Sequence, residues 1–161
     1  MPKLTHADSR GSARMVDVGG KRRTRREATA RGTVRFGRIA YRLLKENRLA
    51  KGDALAVARL AGIQAGKRAS EWIPLCHPIP IEHLELAIDL DDARRAAQVT
   101  AVARARWSTG VEMEALVAVA AACLALYDMT KAVERGVRVT EIELLAKSGG
   151  RSGAWKRPVR D

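Results

Sequence analysis

The residues of this chain able to do chemistry are few and unevenly placed. A cysteine and a histidine stand side by side in "WIPLCHPIPIEH", with Pro74, Pro78 and Pro80 around Cys76 and His77. Such a pair suggests a metal site, or a nucleophile with its base. Structural zinc, however, wants four ligands in paired spacings such as C-x-x-C. The chain holds 2 cysteines and 3 histidines, none so spaced, so no metal is expected. A thiol nucleophile fares little better, because neighbours on an extended chain point to opposite sides. If His77 faces a cavity, Cys76 is expected to face the core. Prolines remove rotational freedom, and the segment reads as a stiff wall.

The other candidates are lysines and acids. Lys51, Lys67, Lys131 and Lys147 stand near the ends of predicted helices or strands, where most lysines are simply solvated. Asp128 and Lys131 are three apart on one predicted helix face, so a carboxylate and an ammonium can meet and set each other's protonation. Lys147 opens "KSGGRSG", whose glycines can turn backbone N–H groups towards an anion. The G-x-x-x-x-G-K-[ST] order of a P-loop is absent. "GVEMEAL" sets Glu112 and Glu114 around Met113, where acids suit a helix start and could also hydrogen-bond a guanine edge. The cluster "KRRTRREA" reads first as solvated surface and second as a phosphate contact.

These groups need a frame. At 161 residues one domain is expected over residues 15–153, short enough to gain from oligomerisation, with a mobile arm at 1–14 and a basic tail at 154–161. No uninterrupted apolar run reaches bilayer length and the start "MPKLTHADSR" has no apolar signal core. A cytoplasmic protein with reduced thiols is expected. The net charge of +12 attracts anions, nucleic acid and nucleotide phosphates included.

Small and apolar residues alternate from Ala28 to Phe36, which predicts a strand. A helix with Asn47 as its left-handed stop follows, then a second helix capped by Asp53 and running to Ser70. Strands are predicted over residues 83–90 and 99–107. A long helix should then run from a Thr109 cap to Gly136, and a last strand carries a bulge between Val139 and Ile142. With one helix counted as an insertion, this is an α+β, ferredoxin-like βαββαβ plan: an antiparallel sheet packed on helices, its other face uncovered. Self-association is the simplest cover for that face.

Taken in order, "LTH", "MVDV", "KGD", "ARLAGIQAGKR", "IPLCHPI", "TGVEMEAL", "YDMTKA" and "LLAKSGGRSG" closely resemble the MoaC family of molybdenum cofactor biosynthesis, from Leu4 to Gly153. The resemblance implies a cyclic pyranopterin monophosphate synthase. A radical enzyme supplies a GTP-derived cyclic nucleotide triphosphate, and such proteins rearrange it with release of diphosphate. It also implies a homohexamer built as a trimer of dimers, with sites in clefts shared by two subunits, and no cofactor. By matching position, Asp128 is the active-site residue and Lys51 and Lys131 serve acid–base steps. Leu75, Cys76, His77, Met113 and Glu114 bind substrate. Glu112 and Lys147 line the same pocket, and Lys67 and Arg26 are weaker phosphate candidates. Phe36 and Val117 depart from the residues frequent in relatives, as packing changes.

A basic ferredoxin-like nucleic-acid-binding module is the alternative. RNA binders of this plan stack bases on aromatic residues of the central strands. Aromatics are 4% of this chain, and the predicted hairpin strands offer only Trp107, at an end.

Overall fold

A computed structural model describes residues 13–158. The expected arm at 1–14 lies almost wholly outside them, as do "LTH" and the last three residues.

The sheet is built around β1 (Thr24–Arg35), in which Ala28, Ala30 and Val34 are buried while Arg25 and Arg35 are exposed. It begins four residues before the alternation predicts. Thr24 to Glu27 are mostly charged, yet they pair in register with Trp107 to Arg104, so backbone pairing extends the strand beyond the buried stripe. Next come α1 (Arg38–Lys45) and α2 (Ala54–Gly66). Asn47 takes φ 52° as expected of a stop, and the Asp53 carboxylate accepts the Ala56 N–H at 2.9 Å as the cap of α2.

The second helix was expected to reach Ser70, and it stops at Gly66. Arg68 N–H bonds back only three residues, to the Ala65 carbonyl, a tightening that ends helices. A single turn, α3 (Ala69–Trp72), then leads into the proline segment.

The remaining elements are β2 (His83–Asp91), β3 (Ala96–Trp107), α4 (Glu112–Thr130), β4 (Arg138–Ser148) and β5 (Trp155–Lys156). The strand order is β2-β3-β1-β4-β5, antiparallel throughout. The first four strands give the expected α+β, ferredoxin-like arrangement, with α1 the inserted helix. The bulge is present too. Pairing of β1 with β4 shifts between Arg31 and Thr33, and Glu141 adopts φ 57°.

The long helix is shorter than expected at both ends. Thr109 does not cap it; Val111 occupies the cap position, without a side-chain bond. Gly136 does not end it either. The Thr130 hydroxyl turns back to the Leu126 carbonyl at 2.7 Å, and two turns separate the helix from β4. The tail also differs from expectation: Trp155 and Lys156 pair with Lys147 and Ala146, which makes β5 an edge strand.

Helices α2 and α4 cover one sheet face with small residues. Ala101 and Ala103 of β3 and Ala115, Ala118 and Ala122 of α4 are fully buried. Gly62 lets α2 come close: a Cβ there would lie 2.7 Å from the Ala118 carbonyl oxygen. By length and composition α4 could cross a membrane, but here it is the core helix. Phe36 packs its ring 6.3 Å from that of Tyr41, and Val117 is buried beside Ala65, Ala69 and Ala121, in keeping with packing roles.

Among the described residues no element covers the opposite sheet face, which is charged. Arg31 meets Glu143 at 2.7 Å, Arg157 reaches the same carboxylate at 3.2 Å, and Thr33 donates to Glu141 at 3.0 Å.

Candidate active site

The predicted site residues fall into two groups at opposite ends of α4. At its C-terminal end lie Lys51, Asp128 and Lys131. Gly52 takes φ 93°, a left-handed turn that glycine adopts without strain, and presents Lys51 just before the Asp53 cap. From there the Lys51 ammonium donates to the Asp128 carboxylate at 2.8 Å and to the Asp128 main-chain carbonyl at 2.9 Å. Lys131 approaches the other carboxylate oxygen at 2.6 Å.

The spacing of Asp128 and Lys131 anticipates their pairing; the addition of Lys51 is a product of the fold. An acid in the last helical turn faces the negative end of the helix dipole, and the two ammonium groups offset that. Bonded first by Lys131 and then by Lys51, the Asp128 carboxyl is held down at about 2. The carboxylate in turn raises Lys131 above the ordinary lysine value. The cluster is solvent-accessible.

At the N-terminal end, Glu112 pairs with Lys147 at 3.4 Å. Lys147 also donates to the Ser152 hydroxyl at 2.8 Å, so the glycine loop folds back on its own lysine. Arg26 lies beneath that loop, where a Cβ on Gly150 would strike its guanidinium. Gly150 itself has φ 73°. The Arg26 guanidinium donates to the carbonyls of Trp107 and Ser108, each at 3.2 Å, which joins β1 to the entrance of α4.

Glu114, in the first turn of α4, is 2% exposed, and its Oε2 has no hydrogen-bond partner among the described residues. Burial, with a smaller contribution from the nearby Glu112 charge, pushes its carboxyl up to about 7. Cys76 approaches Glu114 Oε1 at 3.9 Å. It does not enter the apolar core as expected but stands half-buried against this acid. Burial, then Glu114, pushes the thiol up to about 11. His77 points elsewhere, its Nε2 lying 2.8 Å from the Val16 carbonyl. A neighbouring cavity of about 300 Å³ is lined by Lys67, Ser70, Pro78, Pro80 and Glu114. Leu75 is exposed and Met113 half-buried; neither lines this cavity.

The two groups do not meet within one chain. Glu114 and Asp128 are fourteen residues apart on one rigid helix, about 21 Å at the α-helical rise. No single reacting atom can lie within hydrogen-bond reach of both.

Sequence reasoning missed Ser152, the Val16 carbonyl and the Trp107–Ser108 carbonyls. Main-chain acceptors leave no compositional trace. Ser152, inside the glycine loop five residues after Lys147, was the one readable signal.

Known proteins resemble this chain over nearly its whole length. The model described as "MoaC family" matches residues 15–150. A cyclic pyranopterin monophosphate synthase from Thermomicrobium roseum is 51% identical over 157 residues, covering 98% of this chain and 95% of that protein. One of the same name from Parvibaculum lavamentivorans is 50% identical, covering 96% of each. The mouse protein named molybdenum cofactor biosynthesis protein 1 is 51% identical, but this chain spans only 24% of its length. With motif order, fold and full-length identity in agreement, the chain belongs to the MoaC family.

Proposed function

We propose that this chain is a cyclic pyranopterin monophosphate synthase, a lyase of the phosphorus–oxygen type. It converts (8S)-3′,8-cyclo-7,8-dihydroguanosine 5′-triphosphate to cyclic pyranopterin monophosphate and diphosphate. The observation that carries the reading is the pairing of a three-membered Lys51–Asp128–Lys131 cluster with a separate group of acids and cations, the Glu112–Lys147 pair and Glu114 in its cavity with Lys67. The reaction needs both kinds of group. Opening and reclosing rings moves protons on and off sugar and purine atoms, and diphosphate leaves more easily from a cationic surround.

One copy supplies the pocket in this proposal, and a second copy supplies the lysine cluster. Glu114 and Glu112 receive the guanine-derived ring, whose N–H groups suit a buried acid with one oxygen, Oε2, left without a donor among the described residues. Lys147, Lys67 and Arg26 face the phosphates, and the wall of Leu75, Cys76, His77 and Met113 positions the rings. Asp128 keeps two ammonium groups in one place. Lys51 and Lys131 then exchange protons with the sugar, and Asp128 holds whichever lysine is charged. A homohexamer of three dimers provides such shared clefts, and the uncovered sheet face leaves surface for assembly. The upstream radical enzyme supplies the substrate. The two unbonded cysteines, Cys76 and Cys123, suit the reducing cytoplasm.

A nucleic-acid role finds less support. On the uncovered face the central strands present Thr29, Arg31 and Thr33 of β1 and Gln98, Thr100 and Val102 of β3, none of them a stacking platform.

The test is turnover. Purified chain mixed with the cyclised GTP derivative should release diphosphate together with cyclic pyranopterin monophosphate. Substrate recovered unchanged would exclude the assignment.

A further inference from the structure

The basic run before and within β1 has no part in the site described above, apart from Arg26. Side chains alternate along a strand. Arg26 turns to the glycine loop, whereas Arg25 faces a separate cleft of about 580 Å³ where β1 begins and β3 ends. Five arginines line it, Arg22, Arg23, Arg25, Arg104 and Arg106, against one acid, Glu82.

Arg104 is neutralised by Glu27 at 2.6 Å. The Arg23 guanidinium lies 4.0 Å from the centre of the Trp107 ring, a cation–π contact that stiffens one wall. Arg22, Arg25 and Arg106 form no ion pair with any described residue. Arg25 and Arg106 are moreover direct cross-strand partners, and like charges placed so cost stability. A chain that only needed solubility could spread these charges over convex surface. Here they converge on a concavity and repel one another, an arrangement that an anion would relieve.

We propose that this arginine cleft is a second anion site, distinct from the catalytic pocket, that takes a polyphosphate chain. Guanidinium forks bind phosphate oxygens in pairs, and several forks around one cleft suit linked phosphates better than a single one. The neighbouring Trp107 ring is covered by Arg23 and the His83 ring that lines the cleft lies 3.7 Å from the Glu85 carboxylate, so among the described residues the cleft has no tryptophan, tyrosine or phenylalanine face open to a base. The ligand is recognised by its phosphates, whether free inorganic polyphosphate or the tail of a nucleoside triphosphate. The proposal does not depend on which reaction the chain catalyses.

Calorimetric titration of the full chain with inorganic tripolyphosphate, at low and physiological salt, tests it. Replacing both arginines, as Arg25→Gln/Arg106→Gln, should abolish one tripolyphosphate site per chain or weaken it at least about tenfold, as expected for loss of two forks. Each single replacement should fall between. The charge-preserving pair Arg25→Lys/Arg106→Lys serves if the glutamine pair misfolds, and should bind more weakly than wild type. GTP and tripolyphosphate should bind this site within about threefold of each other, and orthophosphate at least about tenfold more weakly. Unchanged stoichiometry and affinity in the folded variants would overturn the proposal. So would binding of GTP without tripolyphosphate, which would mean that the base is read. A short RNA that binds the cleft far more tightly than tripolyphosphate would replace this site with a nucleic-acid surface.

Discussion

Replacing Glu114 with glutamine should make stability nearly independent of pH where the native protein loses it. The carboxyl is buried, one oxygen has no partner among the described residues, and burial raises it to about 7 when folded against an ordinary 4.5. Between those values the folded protein binds a proton that the unfolded chain has released. Stability therefore falls as pH rises from about 4.5 to 7 and is level beyond, so far as this group is concerned. The span of about 2.5 pH units corresponds to about 3 kcal/mol. Glutamine has the shape of the protonated acid and no charge to bury, so Glu114→Gln should match the native protein near pH 4.5. Near pH 8 it should exceed it by about 3 kcal/mol, or about 6 to 12 °C in melting temperature for a chain of this size. The other titratable groups at this spot are Glu112 on the same helix, Cys76 from the proline segment and Lys67 across the cavity; all remain in the variant. Differential scanning calorimetry from pH 4.5 to 8.5 measures the gap. A gap that does not widen with pH would show that Glu114 is ionised at no cost and that its orphaned oxygen is a misreading.

Two further outcomes follow from the geometry. Asp128→Asn removes the charge that gathers Lys51 and Lys131, and diphosphate release should fall about 10²- to 10⁴-fold, as for loss of an acid–base group; melting temperature should barely move, because the cluster is exposed. Gly62→Ala forces a methyl group into Leu86 and to within 2.7 Å of the Ala118 carbonyl. It should destabilise by about 1–3 kcal/mol, as overpacking does, read as a lower denaturant midpoint.

Much of the fold was legible because period and punctuation agree. Alternation marked the strands, Asp53 and Asn47 bound helices where their types predict, and the change of register around Glu141 announced the bulge. Misreadings arose where tertiary contacts outweigh local signals. Thr109 is a good cap by type, but β3 extends to Trp107 and the chain needs residues 108–111 to turn. Trp155 and Lys156 read in the sequence as part of a basic tail, and become a strand only because the edge of β4 is there to pair with. The candidate residues could be named from the sequence one by one, but their arrangement could not. The pairing of Asp128 with Lys131 follows from helical spacing, whereas the approach of Lys51 across 77 residues of sequence does not. Cys76 drew attention as a possible ligand, and its neighbour Glu114, a buried acid, proved the more perturbed group. Nor could the sequence show that the two groups of site residues stand at opposite ends of one helix.

That separation makes a shared site the central claim, and subunit mixing tests it most directly. Lys51→Ala disables the lysine cluster and Lys147→Ala the opposite pocket, so each variant alone should be inactive. If every site takes one group from each of two copies, a mixed dimer contains one doubly damaged site and one intact site. Equal co-expression with two affinity tags should then restore diphosphate release to about a quarter of the native rate, since half of the dimers are mixed. A mixture no more active than its separate components would mean that each chain works alone, and would contradict the shared site.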